Sequence, residues 1–538
     1  MKHVAHTSPP PTDLLAPRVS LSREAFLSLD ARALGGARGA ATHVPLRLDL
    51  AADTETPVSA YHKLSRQRPG SFLLESAHLQ LEEPGQGGAP RLGRYSFVGF
   101  DVDKAIVSDA GSRDPLETVQ RELARYVVAA PDDGALPPFL GGAVGYLGYD
   151  VVRHFECVPL AAPRDESLPE AQLFVTEELA VFDHALARLT LVVLAPLAGD
   201  RHRTFDRALA RLTELSARLD GPAPPRRLLD AETPAPAPAT SGLDRAAFEA
   251  NVREAQEAIA AGEVFQVVLS QRFTVERAVD PFALYRALRA LNPSPYMFLF
   301  RFGTHAVVGA SPETLVKTTR AHAEAPLEVH VRPIAGTRRR GATPEEDAAL
   351  GRELAADPKE LAEHRMLLDL GRNDVGRVAA LGSVRVERPL HLERYSHVMH
   401  LVSDVRGTLA EGLTAFDAFR AAFPAGTVSG APKIRAMELL ARLEPHRRGV
   451  YAGAIGYFGF DGQSDTCLAI RTVVVEPERA HVQAGAGIVL DSDPAREHEE
   501  CVAKARAALV AIAQASSPPS ARPRASASAT PEVPSCTS

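Results

Sequence analysis

Pro295-Tyr296-Met297-Phe298-Leu299-Phe300 and the nearby Ala306-Val307-Val308 decide the fold class. No helical period follows Pro295, while aromatic and β-branched side chains are dense, so the reading is two strands. Working outward, Leu189-Thr190-Leu191-Val192-Val193-Leu194 and Ala469-Ile470-Arg471-Thr472-Val473-Val474-Val475 read as further strands. Helical periodicity marks Asp244 to Ala261, Phe282 to Ala290, Thr343 to Ala356 and Ala495 to Ala511. Short β-runs separated by long helices predict α+β layers. Periodicity alone leaves the topology open.

A chain of 538 residues is long for one domain and ordinary for two. The Pro- and Ala-rich stretch Gly221 to Ser241 cannot enter a helix or a central strand and reads as a surface linker. It separates two expected regions, 46–220 and 242–513. Residues 1–45 read as a poorly ordered extension and 514–538 as a disordered tail. A net charge of −7 gives no support for a nucleic-acid partner. Cys157, Cys467, Cys501 and Cys536 form no CxxC pair, which argues against a zinc site or a disulfide framework. Reduced thiols in a cytoplasmic protein are expected. Met1 to Leu15 lacks the apolar segment of a secretory signal. No apolar run approaches the roughly 20 residues that span a bilayer, so no membrane association is expected.

Two acidic helix starts stand out. Asp357-Pro358 opens one, with Glu360 and Glu363 three apart on a shared face; Asp493-Pro494 opens the other, with Glu497 and Glu500 spaced alike. Four carboxylates on facing helices would suit Mg²⁺, which keeps waters and accepts a substrate oxygen. Helix capping explains the same residues without a metal, with Glu360 completing a capping box on Asp357. The run Gln483 to Asp491 contains G-x-G, but Leu490 stands where a dinucleotide fingerprint needs glycine. Gly426-Thr427-Val428-Ser429-Gly430-Ala431-Pro432-Lys433 lacks the ending of a Walker motif. Lys504, four residues after Glu500, is explained by a helix ion pair. Neither G-x-S-x-G nor H-E-x-x-H occurs.

Five segments in order resemble the chorismate-utilising enzymes: Gly309 to Glu313 (GASPE), Asp369 to Asp374 (DLGRND), Arg394 to His400 (RYSHVMH), Gly426 to Lys433 (GTVSGAPK) and Gln483 to Asp491 (QAGAGIVLD). Leu73-Leu74-Glu75-Ser76 and Arg94-Tyr95-Ser96 are similar to the N-terminal part of the anthranilate synthase branch. The resemblance implies an α+β chorismate-binding-enzyme fold, two β-sheets packed together with outer helices, plus an N-terminal α/β region. It implies Mg²⁺ held by Glu363 and Glu500, with Glu360 and Glu497 close by. A divalent cation would also relieve the repulsion between an acidic site and the two carboxylates of chorismate. Tyr451, Arg471, Gly485 and Gly487 match the family's binders of the enolpyruvyl carboxylate, with Lys504 adding positive charge. Glu313 matches the general acid for the departing hydroxyl, which requires a raised pKa. Thr427 is expected to orient the hydroxyl side of the ring. His400 matches the histidine implicated in pyruvate elimination.

The nucleophile separates the siblings. Water-adding members resemble this chain but carry a lysine base where Val264-Phe265-Gln266-Val267-Val268 has Gln266, and an amide cannot deprotonate water. Members that attack C2 through a lysine carry it where Arg332-Pro333-Ile334-Ala335-Gly336-Thr337 has Ala335. Direct amination at C2 followed by loss of pyruvate gives anthranilate. Leu74, Glu75 and Ser76, with Pro295, Tyr296 and Met297, look like the family's tryptophan feedback site. No cysteine sits in an amidotransferase-like elbow, so ammonia is expected from a separate glutamine amidotransferase subunit, in a hetero-oligomer. The alternatives are an aminodeoxychorismate or aminodeoxyisochorismate synthase and, from another class, a non-catalytic sensor of tryptophan or chorismate.

Overall fold

The strands Tyr296–Arg301 and Ala306–Ser311 form an antiparallel pair with Phe298 opposite Gly309. Alternation sends Phe298 and Phe300 to one face and Met297 and Leu299 to the other, and both faces are buried. That double burial is why the run is apolar throughout. The computed structural model describes residues 19–35, 39–76, 93–109, 111–129, 136–160, 168–226, 234–322, 325–395 and 398–516.

Twelve strands make one sheet and ten the other. All pairings between the named strands are antiparallel. The proline-rich stretch divides the sequence but not the sheets. Ser71–Glu75 pairs with Tyr296–Arg301 in the first sheet, and Gly142–Leu147 pairs with Ala454–Gly459 in the second. Each expected region therefore completes a sheet begun by the other. An aromatic layer packs between the sheets: Phe97 meets Phe139 and Tyr457 edge-on, at 5.5 and 5.7 Å, and Phe72 stacks on Phe300 at 5.9 Å. Such pairs add to the area they bury.

The outer helices follow the sequence closely. Arg245–Ala260, Pro281–Leu291 and Pro344–Ala356 begin at side-chain caps from Asp244, Asp280 and Thr343. The last helix runs Pro494–Ser516, past the expected boundary at 513. Residues 517–538 lie outside the described residues, as do 1–18. The expected loose extension differs from Val19 onward. It carries the helices Arg23–Ser28 and Ala31–Gly35 and opens the strand His43–Ala51. Phe26 anchors it, fully buried against Phe205 with ring centroids 5.6 Å apart. The run expected as one strand from Ala469 is a strand only over Thr472–Val475, because Arg471 has φ +53° and cannot extend a ladder. Among the described residues no helix is long and apolar enough to cross a membrane.

Candidate functional site

The site forms where the chain steps between the two sheets. Ala306–Ser311 belongs to the first sheet and Thr314–Thr319 to the second, with Pro312-Glu313 as the step. Proline has no N–H for a ladder, which suits a corner. A second step lies beside it, from Ser464–Leu468 to Thr472–Val475 through Arg471. The Ala310 N–H donates to the Arg471 carbonyl at 3.2 Å and the Leu468 N–H to the Glu313 carbonyl at 3.0 Å, so the two corners brace each other.

Glu313 is half-buried where it lines a small cleft, and the desolvation of its carboxyl raises its pKa to about 7. The Thr427 hydroxyl donates to its Oε1 at 2.7 Å, and the charge of Lys504 also favours ionisation; both pull less strongly than burial pushes. Thr427 is held by the turn that pairs Gly430 and Ala431 with Val267 and Gln266. Lys433, closing that motif, reaches Asp374 of the helix Pro358–Gly376 at 3.3 Å.

Gly485 and Gly487 lie on the strand Ala480–Ile488, opposite Ser270 and Val268. A side chain at Gly485 would stand 2.7 Å from the Tyr451 hydroxyl, and one at Gly487 2.7 Å from the Gln266 amide nitrogen. Bare backbone is what allows both groups to approach. The Arg471 guanidinium meets the Lys504 carbonyl at 3.4 Å and no carboxylate within ion-pair distance among the described residues. Burial lowers its pKa, so the group is poised to gain from an anionic ligand. The Lys504 ammonium donates to the Gly485 carbonyl at 2.9 Å and pairs with Glu500 at 2.7 Å, the helix pair its spacing foretold.

His400 sits on the strand Val398–Thr408. Its Nδ1 lies 2.9 Å from the Gly336 carbonyl, which assigns the ring proton to Nδ1 and leaves Nε2 as the free base. Burial lowers its pKa, and the Arg471 charge adds to that. The Tyr395 ring meets it edge-on at 5.5 Å. Ser396 and His397 of the same motif lie outside the described residues.

The four carboxylates differ among themselves. Burial raises the pKa of Glu363, and the charges of Glu360 and Glu500 raise it further against a hydrogen bond from Gln266. Burial likewise raises Glu497, with Glu500 adding to it. Carboxylates that repel one another in a desolvated cleft suit a divalent cation. No three metal-ligating side chains converge among the described residues. Mg²⁺ does not require such a cluster, since it takes one or two carboxylates and fills its shell with water and substrate. Asp357 caps the N–H groups of Lys359 and Glu360, but the expected reciprocal half of the box is missing: Glu360 turns to Arg338 at 3.0 Å. Sequence reasoning missed Arg338 here. It also missed Lys359, whose charge favours ionisation of both Glu363 and Glu497; adjacency to Pro358 was the signal.

Residues 77–510 match the model of a family described as chorismate binding enzyme. The chain belongs to the chorismate binding enzymes. It is 49% identical over 480 residues to anthranilate synthase component 1 of Streptomyces coelicolor, covering 88% of this chain and 89% of that one. To the component 1 of Thermus thermophilus it is 48% identical, covering 88% and 98%. The crystal structure of anthranilate synthase component I from Streptococcus pneumoniae superposes with TM-score 0.69 at 37% identity, over 80% of this chain and 96% of that one. The menaquinone-specific isochorismate synthase of Escherichia coli, at 21% identity and TM-score 0.65, shares the fold over 88% of this chain and 95% of its own.

This chorismate binding enzyme has a cavity of about 140 Å³ between the sheets. Leu74, Glu75, Ser76, Pro295, Tyr296 and Met297 all line it. The Ser76 hydroxyl is buried with no hydrogen-bond partner among the described residues. Tyr296 donates to Asp465 at 3.0 Å, and Lys317 pairs with the same carboxylate at 2.6 Å. The Glu75 carboxylate is taken up elsewhere, accepting from the Tyr285 hydroxyl at 2.7 Å and from Nε and Nη2 of Arg289. Thr314 and Arg332 line both this cavity and the one behind Glu313 and Thr427.

Proposed function

We propose that the chain is the large subunit of an anthranilate synthase: it aminates chorismate at C2 with ammonia, expels the C4 hydroxyl as water and then eliminates pyruvate. The names of its relatives support this reading. The observation that carries the chemistry is the carboxyl of Glu313, desolvated beside Thr427 with a pKa of about 7. A carboxylic acid still protonated near neutrality can hand its proton to a departing hydroxyl. Glu363 of the helix Pro358–Gly376 and Glu500 of the helix Pro494–Ser516 would hold Mg²⁺, with Glu360 and Glu497 alongside. The ion's part is to neutralise a substrate carboxylate. Tyr451, Arg471 and the Gly485–Gly487 backbone take the other carboxylate, with Lys504 adding charge. Gln266 hydrogen-bonds Glu363 and supplies no base, which keeps water from acting as the nucleophile. His400, neutral with Nε2 free, takes the proton in the elimination.

Ammonia comes from a separate glutamine amidotransferase subunit in the cytoplasm. Tryptophan fills the cavity between the sheets and inhibits; the unpartnered Ser76 hydroxyl supports a polar ligand there. The test is anthranilate fluorescence from purified chain with chorismate, Mg²⁺ and an ammonium salt. A rising signal abolished by EDTA is the expected result. Consumption of chorismate without fluorescence refutes the elimination step, and no consumption refutes the enzyme reading.

A further inference from the structure

Glu444 and Arg448 are buried, one turn apart, just after the helix Lys433–Leu443. No motif of the family resemblance includes either residue. Arg448 grips Glu444 through two bonds, Nε to Oε2 at 2.8 Å and Nη2 to Oε1 at 2.7 Å. Its remaining donors leave the pair altogether. Nη1 donates to the Val428 carbonyl and Nη2 to the Val268 carbonyl, each at 2.6 Å. The guanidinium plane lies over two rings, Tyr149 at 4.9 Å and Tyr451 at 5.5 Å. Glu444 in turn accepts from the Ser270 N–H at 2.9 Å and from the Ser270 hydroxyl at 2.7 Å. The Ser270 hydroxyl is also held by the Gln483 amide at 2.8 Å.

All of these contacts but that with Tyr149 end on or beside a strand or turn that carries a site residue. Val428 follows Thr427, which holds Glu313. Val268 lies two residues after Gln266 on the same strand face and pairs with Gly487. Ser270 pairs with Gly485. Tyr451 places its hydroxyl beside Gly485. The general-acid corner, the amide that faces Glu363 and the carboxylate-binding backbone thus share one ion pair as their common support. We propose that Arg448, oriented by Glu444, is the positioning residue that sets the mutual geometry of Thr427, Gln266 and Tyr451. The proposal rests on the anthranilate synthase reading of the site.

A planar five-donor fork can serve two carbonyls and a carboxylate together and still lie flat on an aromatic ring. A lysine ammonium keeps the charge and loses that arrangement. A loose purely structural pair would behave otherwise, since buried ion pairs replaced by apolar side chains of similar volume often leave the fold as stable as before. The experiment therefore uses Arg448→Lys and the paired change Glu444→Met with Arg448→Met, beside the wild type. Chorismate-dependent anthranilate formation is measured over a range of ammonia concentrations up to saturation, per folded molecule, well below each melting temperature. Folded variants are expected to lose on the order of 10²-fold in kcat while the KM for ammonia stays as in the wild type. A folded paired variant, or a folded lysine variant, with wild-type kcat overturns the proposal. Should the paired variant not fold, the lysine variant alone decides by the same criterion; should neither fold, the pair is a support of the fold and the positioning role is rejected. A wild type that forms no anthranilate sinks the underlying reading instead.

Discussion

Thr427→Val keeps the branched shape of the side chain and removes the hydroxyl that donates to Glu313 Oε1 at 2.7 Å. Glu313 lies at about 7 because burial raises it, while Thr427 and Lys504 pull it part of the way back. A hydrogen bond to a charged group contributes about 1.5–3 kcal/mol. At 1.36 kcal/mol per pKa unit the ceiling on the change is about 1–2 units. The protonated carboxyl keeps part of the same bond in the native enzyme, so only the difference counts, and the expected rise is about one unit. The acid works while protonated, so activity is present below its pKa and is lost above it. The alkaline limb of kcat/KM should therefore start near pH 7 in the wild type and move upward by about one unit in the variant. Chorismate consumption would be followed across pH with rates referred to free ammonia, so that the nucleophile's own ionisation drops out. A limb that stays in place or moves to lower pH refutes the reasoning.

Three further outcomes follow from the same groups. Glu313 binds its proton more tightly folded than unfolded, so its contribution to stability is full below its ordinary value of 4.5 and declines by about 3 kcal/mol as pH rises to about 7. Glu313→Gln escapes that decline: its stability relative to the wild type should grow over this window while amination falls by about 10²–10⁴-fold, and a flat difference between the two denaturation curves would falsify the burial argument. His400→Gln should consume chorismate and release an aminated, non-fluorescent product, as chromatography would detect; wild-type anthranilate yield would remove His400 from the elimination. Ser76→Phe, filling the cavity between the sheets, should leave turnover in place and abolish inhibition by tryptophan, and unchanged inhibition would place the effector elsewhere.

The layers were legible because their signals are local. The strand at Tyr296 and the helices from Asp244, Asp280 and Thr343 announce themselves by side-chain type, by periodicity and by caps. Topology was not legible, since nothing in Ser71–Glu75 by itself names Tyr296–Arg301 as its neighbour. The expected boundary at the proline-rich stretch failed to divide the sheets for the same reason: a linker shows where the chain leaves a surface, not which edge it returns to. The early helices were missed because a segment rich in Ala, Pro and Arg looks unstructured until one apolar side chain, Phe26, finds the ring of Phe205.

The candidate site was legible where identity is fixed by chemistry and silent where it is fixed by support. The acid proposed at Glu313, the base proposed at His400 and the bare backbone at Gly485 and Gly487 are chemistries that few residue types can supply, so they read as motifs. Arg338 holds Glu360, Arg332 holds Asp404 and Arg448 holds the Val428 and Val268 carbonyls, and an arginine in a sequence looks the same whether it faces water or binds two carbonyls. Only the corners reveal the difference. At Pro312-Glu313 and at Arg471 the chain leaves one sheet for the other, and the regular ladder no longer dictates where the side chains point. The proposed role of the buried Arg448 is to take over that task, and neither it nor Glu444 falls in any of the quoted motifs.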